Sequence, residues 1–386
     1  MIIAGLAFAV WLGLLTLRGG FWRAEDREDL APAGPPPAGG WPAVTAVLPA
    51  RNEADVVGGV VRSLLSQDYA GRLSIVLVDD QSEDGTAEAA RTGAALLGAG
   101  ERLTVLAGQP RPAGWTGKLW ALEQGIRQVE ASGASSEFLL LSDADIGYAP
   151  DALTRLVARA EADGLALASW MAKLNCTSRA ERALIPAFIF FFQMLYPFRW
   201  INRPRARTAG AAGGCMLVRR RALAAIGGIA AIRGELIDDC ALGRRLKGEG
   251  PIRLELTERA VSLRPYPRLG DIRRMVARSA YAQLRYSPLL LAGTALGMAL
   301  TYLAPPLLAL FGPAPARPWA GAAWLLMAFA FQPTLRFYRV SPIWGVAMPA
   351  IAAVYLWFTI DSAWQHGRGR GGLWKGRVQA PGAGSS

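Results

Sequence analysis

Leu139-Leu140-Leu141-Ser142-Asp143-Ala144-Asp145 sets two carboxylates behind an apolar run, and further along Gly234-Glu235-Leu236-Ile237-Asp238-Asp239 supplies a second acidic pair. Read as the end of an extended strand, positions 143 and 145 project to one face, where both side chains could share a hard divalent cation through oxygen. Asp239 would then serve as a base, with Asp238 beside it. A divalent ion suits the departure of a nucleoside diphosphate, whose growing charge it can neutralise. Membrane-length apolar stretches bracket both pairs, so these residues point to transfer of a diphosphate-activated group to a lipid-borne acceptor.

Four more segments could serve the same chemistry. Pro49-Ala50-Arg51-Asn52-Glu53 follows one strand-like run, and Val76-Leu77-Val78-Asp79-Asp80-Gln81-Ser82-Glu83-Asp84-Gly85-Thr86 carries another into an acidic turn. Carboxylates and hydroxyls there, at Asp79, Asp80, Ser82 and Asp84, can accept from a base N–H or bond a ribose hydroxyl. An Asx-rich turn that merely caps a helix has the same composition. Gly114-Trp115-Thr116-Gly117-Lys118 lacks both the first glycine and the hydroxyl residue of an ATPase phosphate loop, so that reading is rejected. Lys118 at a helix N-terminus remains a diphosphate contact, and Asp143 belongs to the donor side as well as the cation side. Gly213, Gly214 and Cys215 form a side-chain-poor approach to a sugar or an acceptor.

The elements needed to position these residues are legible in the hydrophobic pattern. Residues 44–48, 74–78, 103–106, 138–141 and 165–169 read as buried strands, and 55–66, 85–97, 119–130 and 151–162 as amphipathic helices. This alternation predicts a doubly wound α/β sheet with its ligands at the carboxyl ends of the strands, where the motifs fall. Residues 1–18 read as an uncleaved N-terminal anchor rather than a signal peptide, because a basic leader and a small-residue cleavage site are missing. Residues 19–42 read as a Pro/Gly-rich linker and 43–265 as the catalytic domain. Within the latter, 180–207 reads as an in-plane interfacial segment interrupted by Pro186 and Pro197. An amphipathic basic stretch (266–287), apolar stretches at 288–311, 318–332 and 342–360 within a region 288–364, and a basic cytoplasmic tail (365–386) follow. Three full crossings would leave Arg368, Arg370, Lys375 and Arg377 outside, so one of the three stretches is re-entrant or interfacial. Residues 381–386 read as disordered.

Composition narrows the function. The 386 residues are 52% hydrophobic with a net charge of +12 and a mean hydropathy of +0.23, which places part of the chain in lipid. Arginines such as Arg199, Arg203, Arg205 and Arg207 cluster beside apolar stretches and favour an anionic membrane surface over nucleic acid. Cys176, Cys215 and Cys240 are too widely spaced for a CxxC zinc site and make no disulfide framework. The single histidine, His366, excludes a serine–histidine triad built with any other histidine.

Taken in order, Pro49–Glu53, Asp79–Thr86, Asp143–Asp145, Gly213–Arg219 and Asp238–Leu246 resemble the family 2 glycosyltransferases. Further strings, Gly114–Leu122, Arg278–Ser287 and Trp374-Lys375-Gly376-Arg377, resemble the hopene-associated members of that family. The resemblance implies a GT-A fold, a nucleoside-diphosphate sugar donor, Mg or Mn, and inversion by single displacement. It also implies a bacterial inner-membrane location with the catalytic domain in the cytoplasm. By the same likeness Glu53 and Asp80 hold the nucleoside, Asp145 the metal and Asp239 the acceptor proton. Arg274 or Arg278 would contact the diphosphate. The QxxRW signature of processive synthases is absent, since Gln283-Leu284-Arg285-Tyr286 is one residue short and ends in tyrosine. Addition of a single sugar is therefore expected. A polysaccharide or polyprenyl-phosphate glycosyltransferase is the rival enzyme, and an inactive nucleotide-binding membrane scaffold the rival of another class.

Overall fold

The computed structural model describes residues 1–32, 34–133 and 135–372. Trp374, Lys375, Arg377 and the segment 381–386 lie outside them. The chain divides into two compact units: Asp26–Asn175 with Trp200–Pro265, and Met1–Glu25 with Cys176–Arg199 and the chain from Tyr266 onward. The first carries all eight strands and is called the sheet unit; the second is helical.

In the sheet unit the strands are β1 (Val44–Ala50), β2 (Leu73–Asp79), β3 (Leu103–Ala107), β4 (Phe138–Ser142), β5 (Ile146–Tyr148), β6 (Leu167–Lys173), β7 (Cys215–Arg219) and β8 (Ile252–Ser262). They form one sheet in the order β3-β2-β1-β4-β7-β6-β8-β5. The β3-β2-β1-β4 half is parallel, as the alternating strand and helix pattern requires. β7 runs antiparallel to both β4 and β6, and β5 antiparallel to β8, so the sheet is mixed rather than purely doubly wound. The long connection from β6 to β7 takes in the helix Arg179–Leu195, and the chain enters β7 from the Gly-rich loop at 210–214 antiparallel to both its neighbours. β5, β8 and that reversal were not legible in the sequence.

β1 and β4 are buried along their whole length. Strands covered on both faces lose the alternation of polar and apolar residues and become continuous apolar runs. Pro49 is therefore a strand residue, opposite Val78 of β2 in the register. It has no N–H to give, and the pairing of β1 with β4 ends two residues before it, at Val47↔Leu141. The helix Gly117–Ala131 packs across β1 and β2. Its approach needs Gly125, where a Cβ would stand 2.5 Å from Val47 Cγ1. Part of the expected linker at 19–42 is tied into the sheet unit. Arg27 bridges to Leu256, and the buried Glu28 accepts from Arg155, Arg259 and Thr257. Its charge is compensated by fixed partners in the sheet unit, which holds this stretch in place.

The helical unit contains Ile2–Leu17, Arg179–Leu195, Pro288–Met298, Ala304–Phe311, Arg317–Phe337 and Met348–Gly367. Arg179–Leu195 opens on a capping box between Ser178 and Glu181 and runs unbroken through Pro186, so only Pro197 interrupts the segment as expected. Proline removes one i→i−4 bond, and packing offsets that loss here: Phe190 meets Phe331 and Phe191 meets Tyr355 edge to face. Arg18 donates to the free carbonyls of Met194 and Leu195 at its other end. By length and composition, Arg179–Ile201 and Pro288–Phe311 could cross a membrane. The stretch expected at 342–360 is a 3₁₀ turn, Pro342–Gly345, followed by the helix from Met348. Among the described residues, the large apolar side chains left exposed belong to the helical unit except for Leu30, Leu96, Leu97 and Leu263.

Candidate active site

Asp143 and Asp145 do not sit on an extended strand. β4 ends at Ser142, where its pairing with β7 stops opposite Cys215, and the next residues turn so that Ile146 N–H donates to Asp143 O at 3.3 Å. The turn, not strand periodicity, brings the two carboxylates together, and the charge of Asp145 helps raise the Asp143 pKa. Burial is the larger cause of that rise, and the ammonium of Lys118 opposes both.

Lys118 joins the two acidic motifs. Its Nζ lies 2.8 Å from Asp143 Oδ1 and 3.1 Å from Asp238 Oδ2. It stands in the first turn of the Gly117–Ala131 helix, whose N-cap Thr116 accepts from Leu119 N–H and donates its own N–H to Arg233 O at 2.9 Å. That tie fixes the start of this helix to the loop before Asp238. Burial disfavours the ammonium, but Asp143, Asp238 and Asp239 together raise its pKa well above the ordinary lysine value. Asp238 Oδ2 has no hydrogen bond, so the nearby ammonium is its compensation.

Asp239 is the second residue of the helix Asp238–Leu246. Its two oxygens accept from Gly213 N–H at 2.9 Å and from Cys240 N–H at 2.7 Å. Burial, and then the neighbouring charge of Asp238, push its pKa up to about 6, against the opposing pull of Lys118 and the two N–H groups. Gly213 leaves room for this approach: a Cβ there would lie 3.0 Å from Lys118 Nζ and 3.4 Å from Asp239 Oδ2. Ser142 and Tyr148, which the sequence reading missed, hold the loop from the other side. The Tyr148 O–H donates to Ser142 Oγ at 2.7 Å, and Ser142 Oγ donates to Gly214 O at 3.1 Å.

The loops after β1 and β2 are knitted to one another. Arg51 donates to the carbonyls of Asp80 and Gln81, Asn52 N–H to Ser82 Oγ at 2.9 Å, and Glu53 N–H to Thr86 Oγ1 at 2.8 Å. Asp79 Oδ1 accepts from Ser82 N–H at 3.0 Å. Asp84 takes Ala54 N–H on one oxygen and the Thr86 hydroxyl and N–H on the other. Burial raises its pKa, but these bonds outweigh it and hold the carboxyl below its ordinary value. Ser82 and Asp84 thus build the loop. Asp80 is 1% exposed, and Glu53 is held by Arg264, whose guanidinium also bonds Asp145 Oδ2 at 3.0 Å. Arg264 was missed as well; it follows β8, a strand that the hydrophobic pattern did not reveal.

Two of the expected contacts, Cys215 and Pro49, are enclosed in the sheet. Cys215 is fully buried in the sheet core, with its thiol pushed up to about 12 chiefly by burial, and cannot touch an acceptor. As the first residue of β7 its side chain lies in the core, whereas the loop glycines before it are partly exposed. Pro49 is likewise enclosed within β1. Arg274 and Arg278 belong to the helical unit, at the exposed end of Leu269–Ala277, and Arg274 pairs with Asp271 three residues before it.

A family model described as "Glycosyltransferase like family 2" matches residues 42–252, more than half of the chain. The chain belongs to this family. The family 2 match takes in Lys118, the Asp143–Asp145 turn and Asp239, and ends at the start of β8, before Arg264. A curated N-acetylglucosaminyltransferase of Mesorhizobium japonicum is 31% identical over 209 residues, which are 50% of this chain and 43% of that protein. The chain thus spans less than half of that relative's length. Among solved structures, a mannosyltransferase from Pyrobaculum calidifontis in complex with GDP-Man and Mn2+ is 22% identical, with a TM-score of 0.55 over 94% of this chain and 99% of that one. At that identity the likeness concerns the fold, a GT-A-like α/β arrangement around a mixed sheet.

The residues fit the divalent cation that a family 2 enzyme implies. Among the described residues no three acidic, histidine or cysteine side chains gather into a closed metal site. Two carboxylates in one turn are nevertheless the donor set that suits an ion completing its shell with water and substrate phosphate. Their mutual repulsion, relieved here by Lys118 and Arg264, is the electrostatic counterpart of that fit.

Proposed function

We propose that the protein is a membrane-bound inverting glycosyltransferase that moves one sugar from a nucleoside-diphosphate sugar to a lipid acceptor of the hopanoid class. One observation carries the reading: Asp239, from a distant part of the chain, stands with Asp238 against Lys118 and the Asp143–Asp145 turn. Base and leaving-group side are thereby parts of one cluster.

In this reading the acceptor oxygen forms a bond to the anomeric carbon while the bond from that carbon to the diphosphate oxygen breaks. The acceptor proton passes to Asp239, and the electron pair leaves with the diphosphate. An ordinary aspartate is a poor base, whereas a carboxyl raised to about 6 lies near the working pH and stays ionised above it. The N–H groups of Gly213 and Cys240 orient its oxygens. Lys118 sets positive charge beside Asp143 and is placed to meet a diphosphate. Asp143 and Asp145 would hold Mg or Mn, which when bound supplies charge against the departing diphosphate. In this reading Glu53, in the loop after β1, would hold the nucleoside, while Asp80, 1% exposed, is bound through its backbone into the paired loops after β1 and β2.

The apolar surface of the helical unit supports the membrane. Leu289, Leu296, Phe311 and Leu325 each expose more than 70% of their surface, which is unfavourable in water and ordinary in lipid. Bacterial membranes containing the protein, incubated with a panel of labelled nucleotide sugars and extracted for lipid, should yield a lipid bearing a single labelled sugar. A labelled polymer would replace this reading with a polysaccharide synthase, and donor binding with neither transfer nor hydrolysis would replace it with a silent scaffold.

A further inference from the structure

Arg264 joins two carboxylates that the proposed function assigns to different ligands. Its Nε donates to Asp145 Oδ2 at 3.0 Å, and a terminal nitrogen pairs with Glu53 Oε2. Glu53 caps the helix after β1, and Asp145 closes the turn after β4. Their side chains are only 11% and 14% exposed, so each is costly to leave without a cation. The backbone that presents the guanidinium is fixed beside Asp145: Leu263 N–H donates to Asp145 O at 2.7 Å, and Arg264 N–H to Ser262 Oγ at 3.3 Å. A planar guanidinium can serve two acids at once, which a lysine ammonium at this distance from both backbones does less well.

A cation arriving at Asp145 competes with the guanidinium for the same oxygen, and a nucleoside arriving at Glu53 competes for its other hold. We propose that Arg264 is a positioning residue that couples these events. It keeps Glu53 and Asp145 closed on one another in the ligand-free protein and lets go of both when the donor seats. Whichever ligand binds first loosens the clamp for the second, and by linkage the favour is mutual. The freed guanidinium then faces a diphosphate, an anion it can bond through two nitrogens. This inference rests on the glycosyltransferase reading for the roles of Glu53 and Asp145.

The test is Mn2+ binding by the full-length protein purified in detergent, followed through the paramagnetic resonance of free Mn2+, alone and with uridine or guanosine. Nucleosides are used because they bring no phosphate to the metal. In the wild type one nucleoside should tighten Mn2+ binding by roughly fivefold or more. Arg264→Gln should bind Mn2+ alone tighter by a similar factor and show no nucleoside effect. Arg264→Lys keeps the charge, reaches one acid only, and should also lose the nucleoside effect; it decides the matter if the glutamine variant does not fold. Unchanged or weaker Mn2+ binding by folded Arg264→Gln, or a nucleoside effect that survives in Arg264→Lys, overturns the clamp and leaves the glycosyltransferase reading intact. Failure of the wild type to bind either Mn2+ or a nucleoside overturns both.

Discussion

Replacing Asp239 with asparagine removes a charge that the fold holds at a disadvantage. Burial and Asp238 raise this carboxyl from 3.8 to about 6, and a shift of that size corresponds to about 3 kcal/mol at most, because water reaching the half-buried group screens part of it. The sign follows from linkage: a carboxyl whose pKa is higher in the folded state stabilises the fold when protonated. That contribution is full below the unfolded value of 3.8 and is lost as the pH rises through about 6. Asparagine cannot titrate. It also turns an N–H toward either Gly213 N–H or Cys240 N–H, a fixed penalty independent of pH. The stability of Asp239→Asn relative to wild type should therefore rise by at most about 2.5 kcal/mol between about pH 4 and about pH 8, whatever its starting value. Denaturant unfolding of the detergent-purified protein at several pH values measures this difference. Transfer should be abolished and donor binding retained. A stability difference that does not change with pH, or full turnover by the variant, would falsify the assignment of Asp239 as a raised-pKa base.

Wild-type transfer should decline as the pH falls below about 6, where Asp239 becomes protonated; Asp238→Asn removes a charge that raises that pKa and should move the acid limb of the rate profile to lower pH. A limb that stays in place would assign the titration to another group. Gly125→Ala drives a methyl to 2.5 Å from Val47 Cγ1 and should lower stability by about 1–3 kcal/mol, read as a fall in melting temperature. Cys215→Ala should leave the acceptor KM unchanged while destabilising the fold by about 1 kcal/mol, since the thiol touches only the sheet core. A raised KM with unaltered melting would return Cys215 to the acceptor site.

Much of the local structure was written in short-range patterns. Apolar runs flanked by turn residues marked β1, β2, β3 and β4 within one or two residues at each end, and β6 within a few, because strands buried on both faces must be apolar throughout. The acidic motifs at the ends of these strands were visible for the same reason: a carboxylate directly after a buried run needs a special environment. β8 escaped notice because Arg253, Glu255, Glu258 and Arg259 interrupt it, and each of these charges is met by a partner distant in sequence or on the same strand. Arg264, which follows that strand, went unseen with it.

The sequence by itself determined which chemistry was available, through its acids, its small loop residues and the apolar stretches around them. Tertiary structure decided which of those groups act together. Asp143 and Asp145 are neighbours through a turn, Lys118 bridges segments that no local pattern connects, and Cys215 is fully buried although the glycines before it are partly exposed. Residue type and periodicity encode burial, which is a local property of the chain. The pKa of Asp239 and the pairing of Arg264 with Glu53 and Asp145 depend on distances between charges, and those exist only once the strands have taken their order in the sheet.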